Sequence, residues 1–402
     1  MHKPKNHRPL KILYLSSHWP LGKASGSQLR ALHVARALQK IGEVHLATVG
    51  AEDGDAETID KTTAAFNLIF SATLEPLGDS GLRQRLRRAF DPRCKYPHGL
   101  AADARAQARL AKVLPEFDLI WFFKLRTANM FSQWHWPRSV VDIDDVPSAY
   151  ELSVTKTARG GERLKARFQS LVLRRREKLL AKRFNVITVC SNSDRRYLGL
   201  DAPIHVIPNG FDTPPSEPHP SPATPPRIGF IGLFDHIPNR EGIAWFAREC
   251  WPAIKRAVPD ARLRLVGKGS NGDAKPAGPD IDRLGWIADP TAEMAAWTMM
   301  IVPIRLGAGT RVKIAEAFSR KCPVVSTSLG AYGYDVADGR ELRLADGAKD
   351  FSDACINLIR DPAAANALAA NAWKLFLNEL TWDSIAPRVQ AAAEDCLCKP
   401  NQ

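Results

Sequence analysis

Long apolar runs are absent from this 402-residue chain. No stretch approaches the roughly 20 apolar residues that a membrane-spanning helix requires. The basic N-terminus leads only into "ILYL" (Ile12–Leu15), far too short for the apolar region of a signal peptide. Cysteine is also thin: the chain has seven, scattered, with no C-x-x-C pair. Cys396 and Cys398 stand too isolated to form a metal site. These absences argue against a disulfide framework and favour a reducing, cytosolic compartment. What is present, 45% hydrophobic and 25% charged residues, is the composition of a soluble globular protein with two or three domains.

Net charge is missing from half of the chain. Residues 221–402 carry 22 Lys+Arg against 21 Asp+Glu, whereas residues 1–220 carry 34 against 22, so nearly all of the net +13 lies in the first half. The cations bunch in "RQRLRRAF" (Arg83–Phe90) and "RLKARFQSLVLRRREKLLAKRF" (Arg163–Phe184). In the second run Leu164, Phe168, Leu171, Val172, Leu179 and Leu180 recur at roughly helical spacing, which predicts an amphipathic basic helix. Nucleic acid, anionic lipid head groups and a plain solvated face are the three readings of such a pattern.

Short β-rich runs alternate with helical ones. "KILYLSS", "EVHLATV", "DLIWFF", "SVVDID" and "NVITVC" read as buried strands in the first half, and "RIGFIG", "RLRLVG", "MMIVPI" and "PVVST" repeat the arrangement in the second. Between them lie patterned helices such as "SQLRALHVARALQKIG", which stops on Gly42. Such alternation predicts an α/β fold of parallel sheets covered on both faces. Seven of the fourteen residues from Thr213 to Pro226 are proline, which reads as a stiff extended linker. The expected division is residues 1–208, a linker over 209–226, a second domain over 227–380, and a final helix at 381–398 that returns to the first. Two open sheets joined in this way face a central cleft, and ligands of such sheets bind beyond the carboxyl ends of the strands.

The stretch "IVPIRLGAGTRVKIAEAFSRKC" holds the densest chemistry. A strand runs into Gly307, Ala308 and Gly309, and Thr310 reads as the N-cap of a helix opening at Arg311. The first amides of a helix point outward with the positive end of its dipole, which makes an anion site. The two glycines let a diphosphate approach the backbone, while Arg311 supplies forked donors and Lys313 a point charge. Ile314, Ala315 and Phe318 gather on one face, leaving Lys313 and Glu316 on the other. A carboxylate there could take two hydrogen bonds from a ribose diol; the plainer alternative is a surface Lys–Glu pair.

The string "GAGTRVKIAEAFSRKCPVVST" resembles the retaining glycosyltransferases of family 4, which have the GT-B architecture of two facing Rossmann-like domains. "VITVCSNSDRRYL", "IHVIPNGFD", "RIGFIGLFDHIPNREGIAWF", "RLRLVGKG", "RLGWIADPTAEM" and the tail after Trp382 are similar to further stretches of that family, in its order. The resemblance implies that Glu316 grips the nucleotide ribose. The family's second glutamate, eight positions earlier, is replaced here by Ala308, whose backbone amide would stand in with that of Gly309. Its usual Arg/Lys pair is absent from "GLFDHIPNREG", which leaves Arg311 and Lys313 to meet the diphosphate. Gly285 and Trp286 fall where the family's backbone meets the base, although Trp286 reads equally as a core residue. Gly26 and Ser27 resemble the family's glycine loop, or else a bare turn and cap.

Many relatives carry a histidine–aspartate pair at the end of the strand that here reads "VVDIDDVPS", making Asp144 and Asp145 candidates for an acceptor or sugar hydroxyl. A capping or salt-bridged aspartate is the plain alternative. Asp142-Ile143-Asp144 as a metal-binding DxD is disfavoured, because the two-Rossmann layout neutralises the leaving diphosphate with cations and helix amides. What the resemblance implies is retention, no metal and no cofactor, a UDP- or GDP-linked sugar as donor, and a lipid-linked or glycan acceptor at the cytosolic membrane face. An epimerase or phosphorylase on the same fold leaves the basic helix unexplained. A nucleic-acid scaffold lacks any aromatic-interleaved motif.

Overall fold

The apolar runs of the first half form parallel strands in the computed structural model, which describes residues 8–22, 26–51, 54–78, 81–272 and 276–399, apart from the side chains of Arg85 and Thr157. Residues 23–25 of the expected glycine loop, and the Arg85 side chain of the first basic run, thus lie outside the described residues. Strands β1 (Lys11–Ser16), β2 (Glu43–Val49), β3 (Asn67–Ala72), β4 (Leu119–Phe123), β5 (Ser139–Ile143), β6 (Val186–Val189) and β7 (Ile204–Val206) make a seven-stranded sheet in the order β3-β2-β1-β4-β5-β6-β7. Ile12 of β1 lies between Val44 of β2 and Leu119 of β4, all parallel. Strands β4 and β5 are buried at every residue, as in a parallel sheet covered on both faces.

A second parallel sheet holds β8 (Arg227–Ile231), β9 (Arg262–Val266), β10 (Ile281–Gly285), β11 (Met299–Val302), β12 (Val324–Ser326) and β13 (Arg343–Leu344), in the order β10-β9-β8-β11-β12-β13. The helices that matter below are α1 (Gly26–Gln39), α2 (Leu82–Phe90), α3 (Pro147–Thr157), α4 (Gly160–Glu177), α5 (Ile237–Trp245), α6 (Val312–Ser319) and α7 (Trp382–Leu397). Among the described residues no helix is long and apolar enough to cross a membrane.

The chain divides into two compact units, one made of 1–148, 168–207 and 385–402, the other of 149–167 and 208–384. The helical segment 149–167 groups with the second unit. One contact within that unit joins its two stretches: the Gly307 amide donates to Ser153 Oγ at 2.8 Å. From Ile385 onward α7 belongs to the first unit, where Gln390 Nε2 donates to the Ala37 carbonyl and Asp395 pairs with His205 at 2.9 Å.

The proline-rich segment is not a free spacer. Ser221 and Ala223, set between prolines, donate their amides to the carbonyls of Ala295 and Ala296 at 2.8 and 3.0 Å. Proline keeps this strip extended but cannot donate, so the residues between the prolines tie it to the second unit.

The first unit also buries an ion pair. Arg30 of α1 grips Asp142 of β5 through two bonds of 3.0 and 2.7 Å, with both side chains fully buried. Thr188 Oγ1 adds a third bond to the carboxylate, and Arg30 Nη1 reaches the Ile207 carbonyl.

Candidate functional site

At the carboxyl end of β11 the chain turns through Gly307 and Gly309, both left-handed with φ 116° and 75°. Helix α6 then begins at Val312, and Arg311, not Thr310, occupies its N-cap position, where no side chain caps the first turn. The turn through the two glycines consumes one residue more than the sequence suggested, and the Thr310 hydroxyl accepts from Asn209 Nδ2 at 2.8 Å instead. An uncapped first turn keeps the positive end of the helix available to an anion.

The glycine at 307 makes room for a neighbouring side chain. A Cβ there would sit 2.5 Å from Arg311 Nη2. The space it leaves lets the Arg311 guanidinium fold back onto the carbonyls of Ala308 and Leu306. Tyr334 anchors the same residue by donating its hydroxyl to the Arg311 carbonyl at 2.9 Å.

Lys313 points its ammonium at the face of Phe230, 4.0 Å from the ring centroid, and donates to Asn239 Oδ1 at 2.9 Å. Burial first, and then the neighbouring Arg311, push its pKa down to about 7, with Glu316 pulling the other way. Gly232 makes room for it, since a Cβ there would lie 2.9 Å from the Lys313 ammonium. Asn239, in the first turn of α5, also donates to the Leu233 carbonyl at 2.8 Å and so ties the loop after β8 to this lysine. His236, one residue before α5, is held below the ordinary imidazole range by burial, then by Arg311 and Lys313.

Glu316 does not pair with Lys313 as a surface couple. It bonds Arg320, one turn later, at 3.2 Å, and burial raises its carboxyl above the usual range. Arg320 in turn lies over the Phe211 ring at 5.2 Å.

On the far edge of this sheet Gly285 adopts φ 72°. Its amide donates to Ser270 Oγ at 2.9 Å and its carbonyl accepts from Gly267 at 2.7 Å, so the backbone at 285 is already bonded within the unit. Trp286 is 70% exposed, which overturns its reading as a core residue. Strand β10 ends at Gly285, and the left-handed turn there directs the next side chain away from the interior.

In the first unit, Asp144 at the end of β5 is buried, while Asp145 beside it is exposed. Lys124 Nζ lies 3.3 Å from Asp144 and donates to Ser27 Oγ at 2.8 Å, and that hydroxyl reaches the same carboxylate at 3.4 Å. Gly26 and Ser27 form the first turn of α1. The structure therefore joins Ser27 and Asp144 through a residue the sequence reading missed, Lys124, which has φ 68° directly after β4. A lysine closing an apolar strand was its one signal. Asp142 is committed to Arg30 and Thr188, so the DxD spacing does not put two carboxylates on one ligand. Among the described residues no cluster of three or more His, Cys, Asp or Glu is placed to hold a metal ion.

Comparisons with known proteins bear on the fold. HepE of Anabaena, solved with UDP-glucose, is similar over 95% of this chain and 98% of its own, with a TM-score of 0.61 at 17% identity. The sucrose-phosphate synthase of Thermosynechococcus elongatus gives 0.62 at 16% identity, with the same coverage of both chains. WaaG, a glycosyltransferase involved in lipopolysaccharide biosynthesis, gives 0.57 at 13% identity over 95% and 98%. In sequence, an uncharacterized 44.6 kDa protein in the cps region of Klebsiella pneumoniae is 26% identical over 163 residues, a match that spans 38% of this chain and 42% of that relative. The chain thus has the GT-B fold of its structural neighbours, and residues 225–361, which include Gly307 to Glu316, match the family described as Glycosyl transferases group 1.

Proposed function

We propose that this protein is a retaining glycosyltransferase that moves a sugar from a nucleotide diphosphate to a lipid-linked or glycan acceptor at the cytosolic face of a membrane. The observation that carries the reading is the uncapped N-terminus of α6 with Arg311 at its cap and Lys313 bonded to an amide in place of a carboxylate. Such a set of donors meets the charge that builds on a leaving diphosphate, with no metal required; losing one typically costs roughly 10²–10³ in rate. Glu316 takes the ribose diol, and Trp286 with Gly285 the base. Ala308, with Gly309, stands where relatives place a carboxylate against the sugar. The complexes of HepE with UDP-glucose and of Staphylococcus aureus TarM with UDP favour a uridine donor over a guanosine one. Asp144 and Asp145 are the candidates for binding an acceptor hydroxyl.

A thermal-shift screen of UDP, GDP, TDP and ADP on the wild type and on Glu316→Ala tests this. A nucleotide at 100 times its dissociation constant stabilises the fold by about 2.7 kcal/mol. One nucleotide should do so in the wild type and not in the variant. Stabilisation by none of the four, or equal stabilisation of the variant, would remove the donor site.

A further inference from the structure

Helix α2 and the part of α4 from Phe168 onward, both in the first unit, turn large apolar side chains to the outside. On α2, Leu82, Leu86 and Phe90 recur every fourth residue and are 73%, 47% and 49% exposed. On α4, Phe168 and Leu171 are 42% and 62% exposed. Phe90 meets Phe168 edge to face at 5.1 Å, and Arg176 donates to the Arg88 carbonyl, so the two stripes join into one surface. Cations rim it: Arg83 and Arg87 on α2 are exposed, as are Arg175 and Lys178 on and just after α4. Helix α2 contains no acidic residue at all.

A monomeric soluble protein rarely leaves several large apolar groups together in water unless something covers them. Two partners suit a basic surface, and the apolar groups choose between them. Nucleic acid is met by cations and polar donors, to which outward leucines add nothing. A helix with an apolar stripe and arginine flanks lies in a bilayer interface, with the stripe below the head groups and the cations among the phosphates. We propose that the joined face of α2 and α4 docks this protein onto an anionic phospholipid surface, Leu82, Leu86, Phe90 and Leu171 entering the head-group boundary. This extends the acceptor reading above by naming the surface that would reach the lipid, and it shares no residue with the donor corner.

Flotation of the full chain with vesicles tests it, using phosphatidylcholine alone and phosphatidylcholine with phosphatidylglycerol. The wild type is expected to float with the anionic vesicles and to remain largely behind with the neutral ones. The variant Leu82→Ser/Leu86→Ser/Leu171→Ser, which alters exposed positions only, should lose at least tenfold in binding. Arg83→Glu/Arg87→Glu should abolish the preference for anionic lipid, with roughly fivefold lost per arginine. The UDP thermal shift should be unchanged in both variants, which separates this proposal from the donor reading. Wild-type protein that ignores anionic vesicles, or a serine variant that floats equally well, overturns it. So does a wild-type oligomer that the serine changes dissociate, since the face would then be covered by a second copy.

Discussion

Raising the pH above neutrality should weaken UDP binding through Lys313. In the free protein its ammonium has a pKa of about 7, so near pH 8 only about one-tenth of it is charged. A diphosphate seated against α6 favours the charged form, and its own terminal phosphate, with a last pKa near 6, is already fully ionised there. Each UDP bound near pH 8 should therefore take up most of one proton. The sign follows from the direction of the shift. Affinity is fully present below the pKa of the free protein and is lost as the pH rises above it, by up to about tenfold per unit. His236 and Arg311 face the same corner, but the imidazole is held below its ordinary range and is neutral over this window, and arginine does not titrate.

Calorimetry in two buffers of different ionisation heat counts the protons. The Lys313→Met variant should bind weakly and without pH dependence. The same variant should make the ligand-free fold more stable, because at neutral pH the unfolded chain holds this proton more tightly than the native one. That cost fades as the pH rises from about 7 toward 10.5 and amounts to no more than about 5 kcal/mol. Binding that takes up no proton, or a pH slope that survives in Lys313→Met, would refute the reasoning.

Three further outcomes are expected. Asp142→Ala strands the fully buried Arg30 guanidinium and should cost about 3–5 kcal/mol in denaturant unfolding, much of it recovered in Arg30→Met/Asp142→Leu. Gly307→Ala forces a Cβ onto Arg311 at φ 116° and should weaken UDP by about tenfold or more, with a strain of about 1–3 kcal/mol visible in the melting temperature. Trp286→Ser, at an exposed position, should leave stability within about 0.5 kcal/mol. It should weaken UDP but not inorganic pyrophosphate, and equal loss of both would take the base away from Trp286.

The strands were legible because parallel sheets covered on both faces demand unbroken apolar runs, as in the Leu119–Phe123 strand, buried throughout. The Gly307–Glu316 turn stood out in the sequence because glycine, cation and carboxylate fall within ten residues of one another in the chain. What escaped was every partner supplied from elsewhere. Asn239 holds Lys313 across 74 positions, and Ser153 holds Gly307 across 154. A single asparagine or serine in a helix carries no pattern that marks such a contact. The helix start slipped by one because left-handed glycines lengthen a turn without changing its composition. Trp286 was undecided because apolarity does not say which way a side chain leaves the end of a strand. The apolar positions of the long basic helix were read from their spacing, but which of them the fold leaves in water is a tertiary fact.

The chain changes unit four times, after Ser148, Arg167, Ile207 and Ser384, so neither unit is a contiguous piece of sequence. Genetic exchange with a single breakpoint at the proline-rich strip would hand the second unit a foreign 149–167. The serine that receives the Gly307 amide would then come from a different parent than the loop it supports. Recombination that carries 149–167 along with 208–384 would keep them matched. These two stretches are expected to be inherited together, and a shuffled library built from diverged homologues should recover folded members mainly where both derive from one parent.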